Sequence, residues 1–141
     1  MEKIQIVIDT NVLVAAFRSK RGAANQLILG LDDDRFEIAI STPLLFEYED
    51  VLKRPEMSQY LSHEEVEDVI ESVRLISKEY AIFFLWRLLA VDPDDAFILE
   101  LAIRSNAKYI VTYNSKDFAS AADFGITLIS PRAFLDLIEQ R

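Results

Sequence analysis

The chain has 141 residues, of which 51% are hydrophobic and 28% are charged, with three Gly and four Pro. This length and composition predict one folded domain over residues 1–141 and exclude a disordered chain. The absence of cysteine excludes disulfides, thiolate catalysis and Cys-based metal sites. A net charge of −9 argues against a protein that binds nucleic acid through a broad basic face, but it is compatible with an enzyme that holds phosphates through bound cations.

The N-terminal segment lacks the charged-then-apolar layout of a signal sequence. The longest apolar run, Tyr80 to Trp86, is too short to cross a bilayer. We therefore expect a cytoplasmic protein that does not enter a membrane.

Apolar stretches of strand length alternate with stretches of helical period along the chain. A first strand is expected at 4–8, and the polar triplet Asp9-Thr10-Asn11 separates it from an apolar, helix-like run. Further strands are expected at 37–40, about 80–85, 109–112 and 126–129. Helices are expected at 42–53, after Ser62 (where Ser62 and Glu65 have capping-box spacing), at 94–105 and at 132–140. This alternation predicts an α/β fold with a mainly parallel five-stranded sheet and helices on both faces.

Polar side chains follow two of the predicted strands. Asp9 comes directly after the first strand, and Thr112, Asn114 and Asp117 follow the strand Tyr109-Ile110-Val111. In a parallel α/β sheet the functional crevice lies beyond the carboxyl ends of the strands. We therefore expect these side chains to lie near one another.

Two further acids are expected to reach the same crevice from helices. Glu47 flanks the apolar face of the helix at 42–53, and Asp95 opens the apolar helix at 94–105. Clustered carboxylates repel one another unless a divalent cation lies among them, and their hard oxygen atoms suit Mg²⁺ or Mn²⁺. Together with Asp9 and Asp117, these acids predict a metal site that activates water for phosphodiester cleavage.

Each acid also has an ordinary structural explanation. Asp9 suits the N-cap of a helix, and Glu47 can extend into solvent. The run Asp92-Pro93-Asp94-Asp95 is typical of a helix start with Pro at its first position. Only the joint position of these residues beyond the strand ends favours a site.

In these segments the sequence resembles the PIN-domain nucleases, and most closely the toxin components of prokaryotic toxin–antitoxin pairs. The matching segments occur in the family's order and cover nearly the whole chain: IVIDTNVLVAAF, TPLLFEYEDVLKRP, DPDDAFILELAIRSNAKYIVTYNSKDF and FGITLISPRAFLDLI. The resemblance implies a three-layer α/β/α fold and a Mg²⁺- or Mn²⁺-dependent endoribonuclease that cleaves RNA. It also implies a homodimer and a cognate antitoxin protein that holds the enzyme inactive.

The resemblance assigns the metal-binding acidic positions to Asp9, Glu47 and Asp95. It gives Asn11 and Thr112 a supporting role, as hydrogen-bond partners of a carboxylate or of a metal-bound water. Asp92 is placed near the site, and we consider it a weaker candidate for metal binding than Asp95.

At one position the chain departs from the family pattern. Many members carry an acid two residues after the threonine, where this chain has Asn114. An amide oxygen can bind a metal but carries no charge, so a second metal is expected to bind weakly or only with substrate. Asp117 is the candidate to compensate for the missing charge.

For contact with RNA phosphates we expect Arg18, Lys20 and Arg21, in a loop just beyond the Asp9 segment. The alternative is that these basic residues only keep the protein soluble.

Two other functions stay open. A phosphate-signalling or phosphohydrolase domain would use Asp9 as a phosphoacceptor nucleophile. However, the first strand is followed by Asp-Thr-Asn rather than by paired acids, and no Lys follows the last strand. A binding module without catalytic activity would keep the fold, and Asn114 favours this alternative.

Overall fold

The computed structural model describes residues 3–83 and 93–140. The strands of this part are β1 (Ile4–Ile8), β2 (Phe36–Ile40), β3 (Lys78–Glu79), β4 (Tyr109–Val111) and β5 (Thr127–Ile129). The helices are α1 (Thr10–Arg18), α2 (Ala23–Leu29), α3 (Thr42–Leu52), α4 (His63–Ile76), α5 (Pro93–Arg104) and α6 (Pro131–Glu139), with 3-10 segments at Pro55–Met57 and Ser115–Phe124. All strand pairs are parallel, in the order β3-β2-β1-β4-β5. The predicted α/β fold with a parallel five-stranded sheet is confirmed.

The strand β1 is the centre of the sheet and of the core. Its residue Ile6 pairs with Ile38 of β2 on one side and with Tyr109 of β4 on the other. The last three residues of β1 are buried, as expected for a strand covered on both faces. Pairing with β4 continues to the strand end, because the Asp9 N–H donates to the carbonyl of Val111 at 2.9 Å.

The chain reverses its direction across the sheet between β3 and β4. The connections from β1 to β2 and from β2 to β3 step toward one edge, whereas the chain after β3 returns past β2 and β1 to form β4. Right-handed crossovers then place the helices before and after this reversal on opposite faces. The gap between β1 and β4 is the topological switch point, the place where open α/β sheets bind ligands.

Serine residues cap three of the helices. The side chain of Ser41 accepts from the Leu44 N–H at the start of α3, and Ser130 caps α6 in the same way. At α4 the Ser62 hydroxyl accepts from the Glu65 N–H, and the Glu65 carboxylate accepts from the Ser62 N–H at 2.9 Å. The predicted capping box is confirmed.

The third strand lies earlier than predicted and is much shorter. After β3, the Tyr80 N–H donates to the carbonyl of Ile40, and the chain then leaves the sheet. The Phe83 N–H turns away to the carboxylate of Glu100 on α5 at 2.5 Å. The predicted strand at 80–85 is therefore wrong up to residue 83, and its last two residues lie outside the described part of the chain.

One helix, α2, was not predicted. It has seven residues, too few for a clear helical period, and its N-cap is Gly22. The Asn25 amide donates to the carbonyl of Ala16 at 2.9 Å and ties α2 to α1. No helix in the described part of the chain is long and apolar enough to span a membrane.

Candidate active site

Asp9 occupies the N-cap position of α1, yet its side chain makes no capping hydrogen bond within the described residues. The carboxylate instead accepts a hydrogen bond from the Thr112 hydroxyl, with 2.7 Å between Oγ1 and Oδ2. Asp9 is only 8% exposed. Helix capping therefore does not account for an acid at this position. The contact joins the residue after β1 to the residue after β4, at the switch point of the sheet.

The electrostatic surroundings of Asp9 disfavour its ionised form. Burial raises the pKa of the Asp9 carboxyl above its usual value, and the negative charge of Asp117 raises it further. Hydrogen bonds from the Thr112 hydroxyl and the Thr10 amide act in the opposite direction but are outweighed. Among the described groups that shift this pKa, none is a cation. A bound cation at this carboxylate would supply the missing positive charge.

Thr112 organises the hydrogen bonds around Asp9. It is 4% exposed, and its hydroxyl oxygen accepts from the Asn114 backbone N–H at 2.9 Å. The side-chain amide of Asn11 donates to the same oxygen at 3.4 Å, and the Asn11 carbonyl oxygen accepts from the Tyr113 N–H, also at 3.4 Å. Because two N–H groups approach the Thr112 oxygen, its own hydrogen is directed to Asp9.

Asp117 lies beside the residue that breaks the family pattern. The Asn114 side-chain amide donates to Asp117 Oδ2 at 2.6 Å, and both residues are exposed. Asp117 sits in the first turn of the segment Ser115–Phe124, and its charge acts on Asp9. Asn114 thus orients an acid from the next turn of the chain toward the same region.

Glu47 reaches the site from α3. The Thr10 hydroxyl donates to Glu47 Oε2 at 2.5 Å, and Thr10 is itself 8% exposed. The neighbouring Tyr48 is fully buried and donates from its hydroxyl to the carbonyl of Ile8. Burial raises the pKa of Tyr48 well above its usual value, and the negative charges of Asp9 and Glu47 raise it further. Both carboxylates therefore lie close to this hydroxyl.

Thr10 and Tyr48 were missed as site residues by the sequence. Thr10 belongs to the polar triplet after β1, and that position was a usable signal. Tyr48 falls on the apolar face of α3, so the sequence shows a core residue and gives no sign that its hydroxyl supports the end of β1.

Asp95 lies in the first turn of α5 and is half-buried. Its helix packs against β1, which leads into Asp9, and against α3, which carries Glu47. Asp92 lies outside the described residues.

Of the three basic residues predicted to lie in a loop, one is placed differently. Arg18 is the last residue of α1 rather than part of a loop, and Lys20 and Arg21 are exposed in the turn that follows. Arg18 is the ninth and last residue of α1, about 13 Å along the helix from Asp9 at its N-cap. The three side chains are therefore not part of the hydrogen-bonded cluster around Asp9.

The oxygen atoms at this edge suit a hard divalent cation in kind, since they are carboxylate, hydroxyl and amide oxygens. Within residues 3–83 and 93–140, no group of three acidic or histidine side chains is arranged to hold a metal by itself. Mg²⁺ is commonly held by one or two carboxylates, with waters and substrate phosphates completing its shell. The arrangement fits such a shared ion better than a preformed protein cage.

A family model described as the PIN domain matches residues 5–116, a range that includes Asp9, Glu47 and Asp95 and stops just before Asp117. No curated protein matches the sequence. Among solved structures, a chain of VapBC2 from Rickettsia felis, crystallised bound to a DNA fragment from their promoter, has a similar fold. The match covers 90% of this chain and 98% of that chain, with a TM-score of 0.63 and 19% sequence identity. At this identity the likeness is one of fold alone.

Proposed function

The chain belongs to the PIN domain family, and from this premise we propose that it is a Mg²⁺- or Mn²⁺-dependent endoribonuclease that hydrolyses RNA phosphodiester bonds. The observation that carries the proposal is the buried Asp9 carboxylate, which Thr112 holds at the switch point. The carboxylates of Glu47 and Asp117 lie within electrostatic reach of the same centre. A buried acid beside other acids is costly for a structural role alone and is expected where a cation binds.

The acids proposed to bind the ion, each directly or through a water, are Asp9, Glu47, Asp95 and Asp117. A bound divalent cation supplies a Lewis acid that lowers the pKa of a water and stabilises charge on the phosphate. The chain's own hydroxyls orient the acids: Thr112 fixes one oxygen of Asp9. The Thr10 hydroxyl does the same for Glu47.

Supporting and substrate-binding roles are also proposed. Asn11 holds Thr112 in place and links it to the backbone after β4. The cluster Arg18, Lys20 and Arg21 is proposed to contact RNA phosphates outside the catalytic centre, at the far end of α1.

We further propose that the protein is the toxin of a toxin–antitoxin pair. It would act in the cytoplasm as a homodimeric single PIN-like domain and be held inactive by a small antitoxin protein. The fold shared with a chain of VapBC2 supports this proposal. An apolar groove between α1, α2 and α4, with Leu29 77% and Ile76 41% exposed, is a surface that a protein partner would cover.

The test compares the parent protein with Asp9→Asn on a fluorescently labelled single-stranded RNA in Mn²⁺. We expect Asp9→Asn to lose at least about 100-fold in cleavage rate, because a ligand should matter at least as much as its supporting contacts. Chelation with EDTA should abolish cleavage by the parent. Asp123→Asn, which removes an exposed acid near the start of β5, is the matched control and should cleave normally.

The outcomes separate the alternatives. Equal cleavage by Asp9→Asn would show that the site is assigned to the wrong residues. A parent that binds RNA but never cleaves it, in any divalent metal, would indicate the binding module instead. A covalent phosphate on Asp9 after treatment with acetyl phosphate, detected by mass spectrometry, would indicate the signalling class.

A further inference from the structure

A cavity of about 670 Å³ lies beyond the carboxyl ends of β2 and β3. Its walls include Phe46 from α3 and Tyr80 and Ile82 from the chain after β3, with Thr42 and Glu79 as polar lining. The Tyr80 N–H donates to the carbonyl at the end of β2, which fixes this wall to the sheet. Because every strand pair in the sheet is parallel, the carboxyl ends of all strands lie on one side of the sheet, and the cavity lies on that side together with Asp9.

Phe46 connects the cavity to the carboxylate cluster. It is 66% exposed, although a phenylalanine is normally buried, and it directly precedes Glu47 in α3. Successive helical residues point about 100° apart. Glu47 accordingly contacts Thr10 while Phe46 lines the cavity. The two side chains are therefore neighbours that face adjoining spaces.

The second wall carries an aromatic ring with a cation beside it. Tyr80 is half-buried, and the Lys78 ammonium lies 5.5 Å from the centre of its ring. Two aromatic side chains that line one cavity, one of them with an ammonium group beside its ring, are the parts of a stacking site for a nucleobase. The hydroxyl of Thr42 and the carboxylate of Glu79 offer hydrogen-bonding groups for a base edge.

We propose that this cavity binds one unpaired nucleobase of the RNA substrate, stacked against Phe46 and Tyr80, next to the phosphate that is cleaved at Asp9. The inference rests on the proposed function, because it assumes an RNA substrate. A protein with a net charge of −9 gains little affinity from neutralising phosphates. Stacking supplies affinity that does not depend on net charge, and it selects single-stranded RNA because the bases of a duplex are not free to enter.

The experiment measures binding separately from cleavage. Single-stranded RNA oligonucleotides carry the fluorescent base 2-aminopurine at each position in turn, and stacking quenches its emission. They are titrated with Asp9→Asn protein and, as a check, with the unmutated protein in EDTA, so the RNA stays intact. We expect quenching at one position, and we expect Phe46→Ala to remove it and to raise Kd about tenfold.

Three controls make the result specific. Phe46→Trp should restore quenching, because it restores an aromatic face. Phe124→Ala removes an exposed phenylalanine that lies just before β5, at the amino-terminal ends of the strands and away from the cavity. This variant should bind RNA as the parent does. An oligonucleotide with an abasic residue at the quenched position should bind Phe46→Ala and the parent equally.

Unchanged Kd and quenching in Phe46→Ala would overturn the inference. It would also be overturned if Phe46→Ala lost as much affinity for the abasic oligonucleotide as for the intact one. A change of oligomeric state in Phe46→Ala by sedimentation, with RNA affinity unaltered, would assign the surface to a protein interface and overturn it too. Failure of the parent to cleave RNA would contradict the proposed function but would leave these binding results to be judged by themselves.

Discussion

Replacing Thr112 by valine removes one hydroxyl from the candidate site and keeps the shape of the side chain. A hydrogen bond to an ionised carboxylate contributes about 1.5–3 kcal/mol. The Asn114 N–H and the side-chain amide of Asn11 also lose an acceptor. Asn114 is exposed, so its N–H can bond to water instead. We therefore expect Thr112→Val to lower the free energy of unfolding by about 2–3 kcal/mol at pH 7 without metal, measured by urea denaturation with an unchanged m-value.

Two comparisons show whether the loss comes from the contact with Asp9. Thr112→Ser keeps the hydroxyl and loses one buried methyl group, which should cost about 1 kcal/mol. In an Asp9→Asn background the hydrogen bond is between neutral groups, so Thr112→Val should also cost only about 1 kcal/mol. If Thr112→Val is no less stable than Thr112→Ser, or if its cost is the same in both backgrounds, the hydroxyl does not support the Asp9 carboxylate.

Further predictions concern the same site and its framework. Asp9→Asn should stabilise the metal-free protein at pH 7, because each unit by which folding raises the Asp9 pKa costs about 1.4 kcal/mol once the group ionises. Between the ordinary carboxyl pKa of 3.8 and the raised pKa of folded Asp9, the folded parent binds a proton that the unfolded chain has lost. The stability of the parent relative to Asp9→Asn should therefore fall as the pH rises through this range. Thermal unfolding at a series of pH values measures this, and the opposite trend would contradict the prediction. Tyr48→Phe should cost about 1–3 kcal/mol in urea denaturation, because it leaves the carbonyl of Ile8 buried without its hydroxyl donor; a neutral effect would exclude that bond. Ser62→Ala should cost about 1 kcal/mol through loss of the α4 cap, whereas Ser72→Ala, in the exposed middle of the same helix, should not; equal effects would remove the capping explanation.

The parallel sheet and the outline of the candidate site were predictable from the sequence because the signals are local. The strands at 4–8 and 109–111 are nearly continuous apolar runs, a composition that a central parallel strand requires. The rule that ligands bind beyond the carboxyl ends of such strands then selected the polar residues that follow them. The structure brings Asp9 and Thr112 into contact by pairing those two strands directly.

Features set by contacts distant in sequence were not predictable. The apolar run after Glu79 looks like a strand. In the structure, however, the backbone N–H of Phe83 donates to the carboxylate of Glu100 on α5 instead of to a neighbouring strand. The inward direction of Glu47 could be expected from its place on α3. Its hydrogen-bond donor, the Thr10 hydroxyl, could not, because that contact depends on the packing of α1 against α3. The orientation of Asp117 by Asn114 likewise depends on the turn after β4, which residue types alone do not define.

The central claim is that Asp9 is the core ligand of a divalent metal, and a crystal of the protein soaked in Mn²⁺ tests it most directly. Anomalous scattering locates the ion without assumptions about the surrounding side chains. We expect a peak about 2.0–2.2 Å from an Asp9 carboxylate oxygen, shared with at least one of Glu47, Asp95 and Asp117. A peak that does not touch Asp9, or no peak at a Mn²⁺ concentration that supports RNA cleavage, would contradict the claim.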